Sequence, residues 1–146
     1  MRQSVELVVK ASTEEAFTAL RDLKAYRDWL GFIHSVDELV AANETSWNVV
    51  LRSELGPFAR MKKLRMVRTS ELPYSSVTFS RVEIDGKEHS NWTLDVSCLS
   101  LTETTTQVSL TVVYSGGFWS RPLESVFNSH VEDAKVKLRE YFDSRV

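Results

Sequence analysis

The sequence predicts an α+β fold: seven antiparallel strands in one meander, two short helices after the first strand, and a long amphipathic helix closing the chain. Three observations carry this. An alternating segment opens the chain, the stretch from Val36 to Ser115 reads as strands divided by turn residues with no helical period, and an apolar stripe at helical spacing runs through residues 120–144. Short connections favour antiparallel neighbours, because a parallel pair needs a long crossover.

Residues 4–10 alternate, with Val5, Leu7 and Val9 on one side and Glu6, Val8 and Lys10 on the other, as in a half-buried strand. Ser12 followed by Glu15 is a capping-box pattern, and Ala16, Phe17, Leu20 and Leu23 follow at helical spacing. Asp22 can cap a second short turn carrying Tyr26 and Trp29. Gly31 ends that turn and leaves His34 in a loop able to line a cavity entrance. Strands are expected near 36–42, 46–54, 59–69, 75–83, 88–99 and 106–115. The breaks between them are Asn43-Glu44-Thr45, Gly56-Pro57, Pro73-Tyr74, the hairpin signal Asp85-Gly86 and the polar run Thr102 to Thr106. After Gly116-Gly117, Ser120-Arg121-Pro122 opens a helix whose stripe is Leu123, Phe127, Val131, Ala134, Leu138, Tyr141 and Phe142. At 1.5 Å per residue it extends roughly 37 Å, enough to cross a small domain. No repeat or linker-like segment interrupts the chain, so residues 1–146 are expected to form one domain.

Composition narrows the function. With 18 Lys and Arg against 20 Asp and Glu, the net charge of −2 argues against a protein that coats nucleic acid, and no DNA partner is expected. The single cysteine, Cys98, excludes an internal disulfide and the paired-cysteine zinc and redox motifs. No apolar run has transmembrane length and the N-terminus lacks a signal-like apolar core, so a cytoplasmic location is expected.

Strand alternation sorts the side chains. Trp47, Val49, Leu51 and Ser53 share a face, as do Val77, Phe79 and Arg81, then Ser90, Trp92, Leu94, Val96 and Cys98, and finally Val108, Leu110, Val112 and Tyr114. These faces should look inward. One helix cannot fill a wide curved sheet along its whole width, which leaves a hollow of the kind that binds small ligands.

The stretches Val5-Glu6-Leu7, Ser12-Thr13-Glu14-Glu15-Ala16-Phe17, Leu20-Arg21-Asp22 and Tyr26-Arg27-Asp28-Trp29-Leu30 resemble the opening of START-like or Bet v 1-like helix-grip domains, the polyketide cyclase/dehydrase and lipid-transport superfamily. Gly56-Pro57-Phe58, Asn91-Trp92-Thr93-Leu94 and the helix from Pro122 to Arg145 sit where that superfamily has corresponding elements. The nearer subgroups by eye are the coenzyme-Q-binding branch and the subunit-G-like proteins of carbon monoxide dehydrogenase systems. The resemblance implies a curved seven-stranded sheet wrapped around the last helix, with a cavity between them. For function it implies binding or carriage of a hydrophobic small molecule, a lipid, quinone or polyketide-like compound, with aromatase, cyclase or dehydratase activity as the alternative.

The residues expected to contact such a ligand are Trp47, Leu51, Phe79, Trp92, Leu94, Tyr114, Phe127 and His130, although large aromatics also simply fill cores. His130 lies near the apolar stripe of the long helix and His89 should face solvent. His130, Tyr114 and Arg81 are the candidates for acid, base or enolate-stabilising roles. Nothing resembles a nucleophile elbow or a phosphate loop, a thiol inside a strand should be inert, and neither a metal nor another cofactor is expected. Arg60, Lys62, Lys63, Arg65 and Arg68 form a dense cationic run without an acid. It reads as a solvated strand face, or as a patch for an anionic surface or acidic partner, with some cations turned inward or a bulge in the strand.

Overall fold

The computed structural model describes residues 2–41, 44–55, 58–82, 91–115 and 120–144. The chain runs β1 (Arg2–Val9), α1 (Thr13–Leu20), a 3-10 helix (Leu23–Asp28), β2 (Ile33–Ala41), β3 (Glu44–Leu55), β4 (Phe58–Leu72), β5 (Ser76–Arg81), β6 (Asn91–Thr102), β7 (Thr105–Ser115) and α2 (Ser120–Asp143). All seven strands form one antiparallel sheet in the order β1-β7-β6-β5-β4-β3-β2. From β2 to β7 this is a plain meander, and β1 joins at the far edge beside β7. The expected architecture is therefore present.

The caps behave as their chemistry requires. Ser12 Oγ accepts from the Glu15 backbone N–H at 3.1 Å and donates to Glu15 Oε1 at 3.0 Å, while Asp22 accepts from the Lys24 N–H at 3.0 Å. Each satisfies a donor that the first turn leaves unpaired.

Most strand boundaries shift by one to three residues from expectation, with Glu44 and Thr45 of the expected break already in β3, and two places change the reading of the chain. β2 begins at Ile33, so His34 lies within the strand, exposed at a register shift between Ile33 and Ser35, and not in a loop. β6 and β7 extend to a tight turn at Glu103-Thr104, because Thr102 and Thr105 pair across it and their hydroxyls lie 2.7 Å apart. The Asp85-Gly86 hairpin signal and His89 lie outside the described residues.

The sheet has two ends. At the lower end lie the β4–β5 and β6–β7 turns, with α1 and the 3-10 helix beside them; at the upper end β3 meets β4, β7 leads into α2, and β5 and β6 present Arg81 and Trp92. Helix α2 packs on β1 and β3, burying Phe127, Ala134, Leu138 and Phe142. Those residues recur at the spacing of the predicted stripe.

Candidate functional site

The inner face of the sheet divides into two halves with different chemistry. In the lower half, Trp47 and Phe79 meet at 5.5 Å, Tyr26 joins Phe79 at 6.1 Å and Trp29 at 4.8 Å, and Trp29 reaches Tyr141 of α2 at 5.1 Å. Trp47 and Phe79 are both 0% exposed. The Tyr26 hydroxyl donates to the Leu20 carbonyl at 2.7 Å, and burial holds its pKa well above the usual phenol range. This is a closed aromatic core.

The upper half is assembled differently. Trp92 and Tyr114 are direct cross-strand partners with ring centroids 4.7 Å apart, Leu51 stands opposite Lys62, and Leu94 lies beside Phe79 and Val112. Lys62 Nζ lies 5.9 Å from the centre of the Tyr114 ring. Flat sheet would separate β4 from β7 by roughly 14 Å, three strand spacings, so this contact requires the sheet to curl. Arg81 has the same pleat parity as Val77 and Phe79 and pairs with Met66, which is buried on the inner face. Burial first, and the Arg81 charge second, pull the Lys62 pKa below the usual lysine value.

Two expected ligand residues on α2 meet a third element. Phe127 lies 5.8 Å from Phe32, and the His130 ring stands 6.1 Å from Phe32. A Cβ placed on Gly31 would come within 2.8 Å of His130 Nδ1, so the imidazole rests directly on the glycine backbone. His130 is thus wedged against the segment leading into β2, and helical spacing alone could place it near the apolar stripe but not name Gly31 and Phe32 as its neighbours.

The cationic run is not one surface. Lys62, Leu64, Met66 and Arg68 share the inner face, while Lys63 and Arg65 turn outward, where Arg65 Nε donates to Asn48 Oδ1 at 2.7 Å. The Arg60 side chain lies outside the described residues. Arg68 stacks 5.3 Å from the Trp47 ring and donates twice to the Arg21 carbonyl, at 2.7 and 3.2 Å. The pleat resumes after a register shift between Arg68 and Ser70, so both the inward cations and the bulge are present. A uniform solvated face is corrected accordingly: β4 has one cation at each end of its inner apolar pair.

Among the described residues, three buried indole N–H groups, those of Trp29, Trp47 and Trp92, have no hydrogen-bond partner. Cys98 is buried and its thiol is pushed up to about 11, which leaves almost no thiolate at neutral pH. Among the described residues no cluster of His, Cys, Asp and Glu is arranged to hold a metal, and no helix is long and apolar enough to cross a membrane. Two depressions formed by described residues lie at the lower end. One, of about 770 Å³, runs between α1 and the end of α2 beside Ser12, Glu15, Asp22, Tyr141 and Phe142, and the other, of about 520 Å³, lies beside Lys10 and Thr105. Neither is the hollow between sheet and helix that the sequence led us to expect.

No protein-family model matches the chain, and no curated protein sequence matches it either. Solved structures do. The Zhui aromatase/cyclase from Streptomyces sp. R1128 superposes with a TM-score of 0.70 at 13% identity, over 99% of this chain and 94% of that one. A START superfamily protein from Mycobacterium smegmatis gives 0.67 at 16% identity over 99% of both chains. The di-domain aromatase/cyclase StfQ of the steffimycin biosynthetic pathway gives 0.63 at 12% identity, with 99% of this chain matching 51% of that one. At such identities the likeness is one of fold, and the fold is the START-like, Bet v 1-like helix grip.

Proposed function

We propose that this helix-grip chain binds or carries a hydrophobic small molecule between the upper half of its sheet and α2, and that residues 1–146 act as one ligand-binding domain. The observation that carries the reading is the contrast between the two halves of the inner face. The lower half is filled by interlocking aromatics, whereas Leu51, Trp92, Tyr114 and Phe127 toward the upper end stand with the half-buried Lys62, and Leu94 and Arg81, level with Phe79 and Met66, mark the boundary between the two. Apolar walls with a few convergent polar groups characterise small-ligand sites. The Trp92 indole supports the same reading, since a buried donor left unpaired costs about 1–3 kcal/mol and an acceptor on a bound molecule would relieve it. Trp47 and Phe79 then act as the floor behind the site. Titration with a fluorescent apolar probe should saturate at about one site per chain and be reversed by long-chain or polycyclic compounds. Absence of saturable binding across a diverse hydrophobic panel would contradict the reading.

A second reading is an aromatase, cyclase or dehydratase using the same space, favoured by the two fold neighbours described as aromatase/cyclases. Here Tyr114 and Arg81 are better placed than His130, which is committed to packing on Gly31. Turnover of a polyketide-like substrate that falls 100-fold or more in Tyr114→Phe with binding intact would favour it.

A further inference from the structure

The larger depression at the lower end has a chemistry of its own. One wall is a side of α1 on which Glu15, Thr18, Ala19 and Asp22 recur at helical spacing, while Ala16, Phe17 and Leu20 are buried on another side. The small residues Ala19 and Ala25 leave about 770 Å³ between that wall and Tyr141 and Phe142 of α2. Small-ligand sites span roughly 300–1,000 Å³. The stripe on α1 begins and ends on a carboxylate, and seven residues at 1.5 Å each separate Glu15 from Asp22 by about 10 Å along the axis. Between them the wall is uncharged. Glu15 Oε1 accepts from the Ser12 hydroxyl and Asp22 Oδ1 from the Lys24 backbone N–H, which leaves acceptor positions open on both, because an ionised carboxylate has about four. Glu14 adds a further acid beside Glu15. Among the described residues no cationic side chain lines the groove, and Arg21, next to Asp22 in sequence, is turned to Glu71. Tyr141 and Phe142 belong to the last turn of α2, which carries no basic residue, so the negative end of that helix adds to the field.

We infer that this groove binds a linear aliphatic diamine or polyamine, with one ammonium at Glu15, another at Asp22 and the methylene chain between them along Ala19, Ala25 and Phe142. Two negative poles joined by an uncharged, partly apolar trough are matched by a molecule with the same pattern in the opposite sign. A monoamine meets one pole only, and a short diamine does not span both. The site lies at the other end of the sheet from the proposed hydrophobic-ligand site and is independent of it.

Calorimetric titration at pH 7.5 with 1,8-diaminooctane, 1,3-diaminopropane, octylamine and 1,8-octanediol tests this. The long diamine should bind at one site per chain, at least fivefold more tightly than octylamine or the short diamine, and the diol should not bind. Glu15→Gln and Asp22→Asn should each cut the advantage of the long diamine over octylamine to twofold or less. Both substitutions keep an acceptor oxygen for the capping hydrogen bond, so α1 and the 3-10 helix should stay formed. Ala19→Leu, which fills the groove without touching a charge, should weaken every amine. In the wild-type protein, raising sodium chloride from 50 to 500 mM should shrink the advantage, a readout that does not depend on any variant folding. Equal affinity for the long diamine and octylamine, an advantage that survives both carboxylate substitutions, or no saturable binding of any amine would overturn the assignment. Amine binding that ignores Ala19→Leu would also overturn it, because diffuse attraction to an acidic protein would then suffice. None of these results bears on binding of the apolar probe, which tests the other site.

Discussion

Gly31 shows how a single position is constrained by a residue far away in sequence. Its missing side chain makes room for His130, whose Nδ1 and Cε1 would lie 2.8 and 2.9 Å from an added Cβ. Alanine there would stabilise by about 0.4–1 kcal/mol through the unfolded chain if the space were free, but the overlap acts in the opposite direction with the 1–3 kcal/mol usual for overpacking. We expect Gly31→Ala to destabilise the wild-type protein and to stabilise a His130→Ala background. Denaturant unfolding of the four chains measures this, and additive effects would show that the imidazole yields without cost. Thr106 is a comparable case. It is fully buried and its hydroxyl donates to the Ala11 carbonyl at 2.8 Å, fastening the start of β7 to the segment between β1 and α1.

At the scale of elements, strand β4 fastens the sheet to the α1 and 3-10 segment through Arg68, Arg21 and Glu71. Arg21 Nε lies 2.6 Å from Glu71 Oε1, and this hydrogen bond is the main cause holding the Glu71 pKa below the usual carboxylate value. A lowered carboxylate pKa adds stability above the unfolded value and loses it as pH falls through the folded one. Both side chains are partly exposed, so solvent screening keeps the contribution to about 0.5 kcal/mol. Glu71→Gln should therefore cost about 0.5 kcal/mol at pH 7 and less at pH 2.5. Arg68→Met should cost more, about 2 kcal/mol, because it removes both the charge-assisted bonds to the Arg21 carbonyl and the guanidinium stacked on Trp47. Urea titrations at the two pH values rank these effects, and an equal cost for both variants would contradict the assignment.

The same strand explains what the sequence concealed. Even positions 62–68 of β4 carry Lys, Leu, Met and Arg, and odd positions 61–67 carry Met, Lys, Arg and Val, so each face offers two apolar and two cationic residues. Hydrophobic alternation cannot choose between them. The register could have done so. With Leu55 opposite Phe58, counting back sets Leu51 opposite Lys62 and Trp47 opposite Met66, which puts Lys62 inside. By contrast, β1, β6, β7 and the α2 stripe were legible directly, because each has one apolar face.

For the molecule as a whole, element order foretold a sheet gripping a long helix, but it left open which part of the inner face is filled. That depends on the curl that brings β4 toward β7 and on where the 3-10 helix lays Tyr26 and Trp29, both products of packing between distant segments. On the proposed reading the lower half of the inner face is solid and the upper half receives a ligand. Leu51→Trp tests it, since Leu51 stands on the inner face of β3 opposite Lys62. A larger ring forced into a packed core costs about 1–3 kcal/mol, whereas one entering a ligand space costs little and blocks the ligand. The decisive measurement is the probe-binding isotherm of Leu51→Trp beside that of the wild type, with folding checked on the same samples. We predict a folded protein of near-native stability whose affinity for the probe falls at least tenfold; unchanged affinity in a folded variant would contradict the claim.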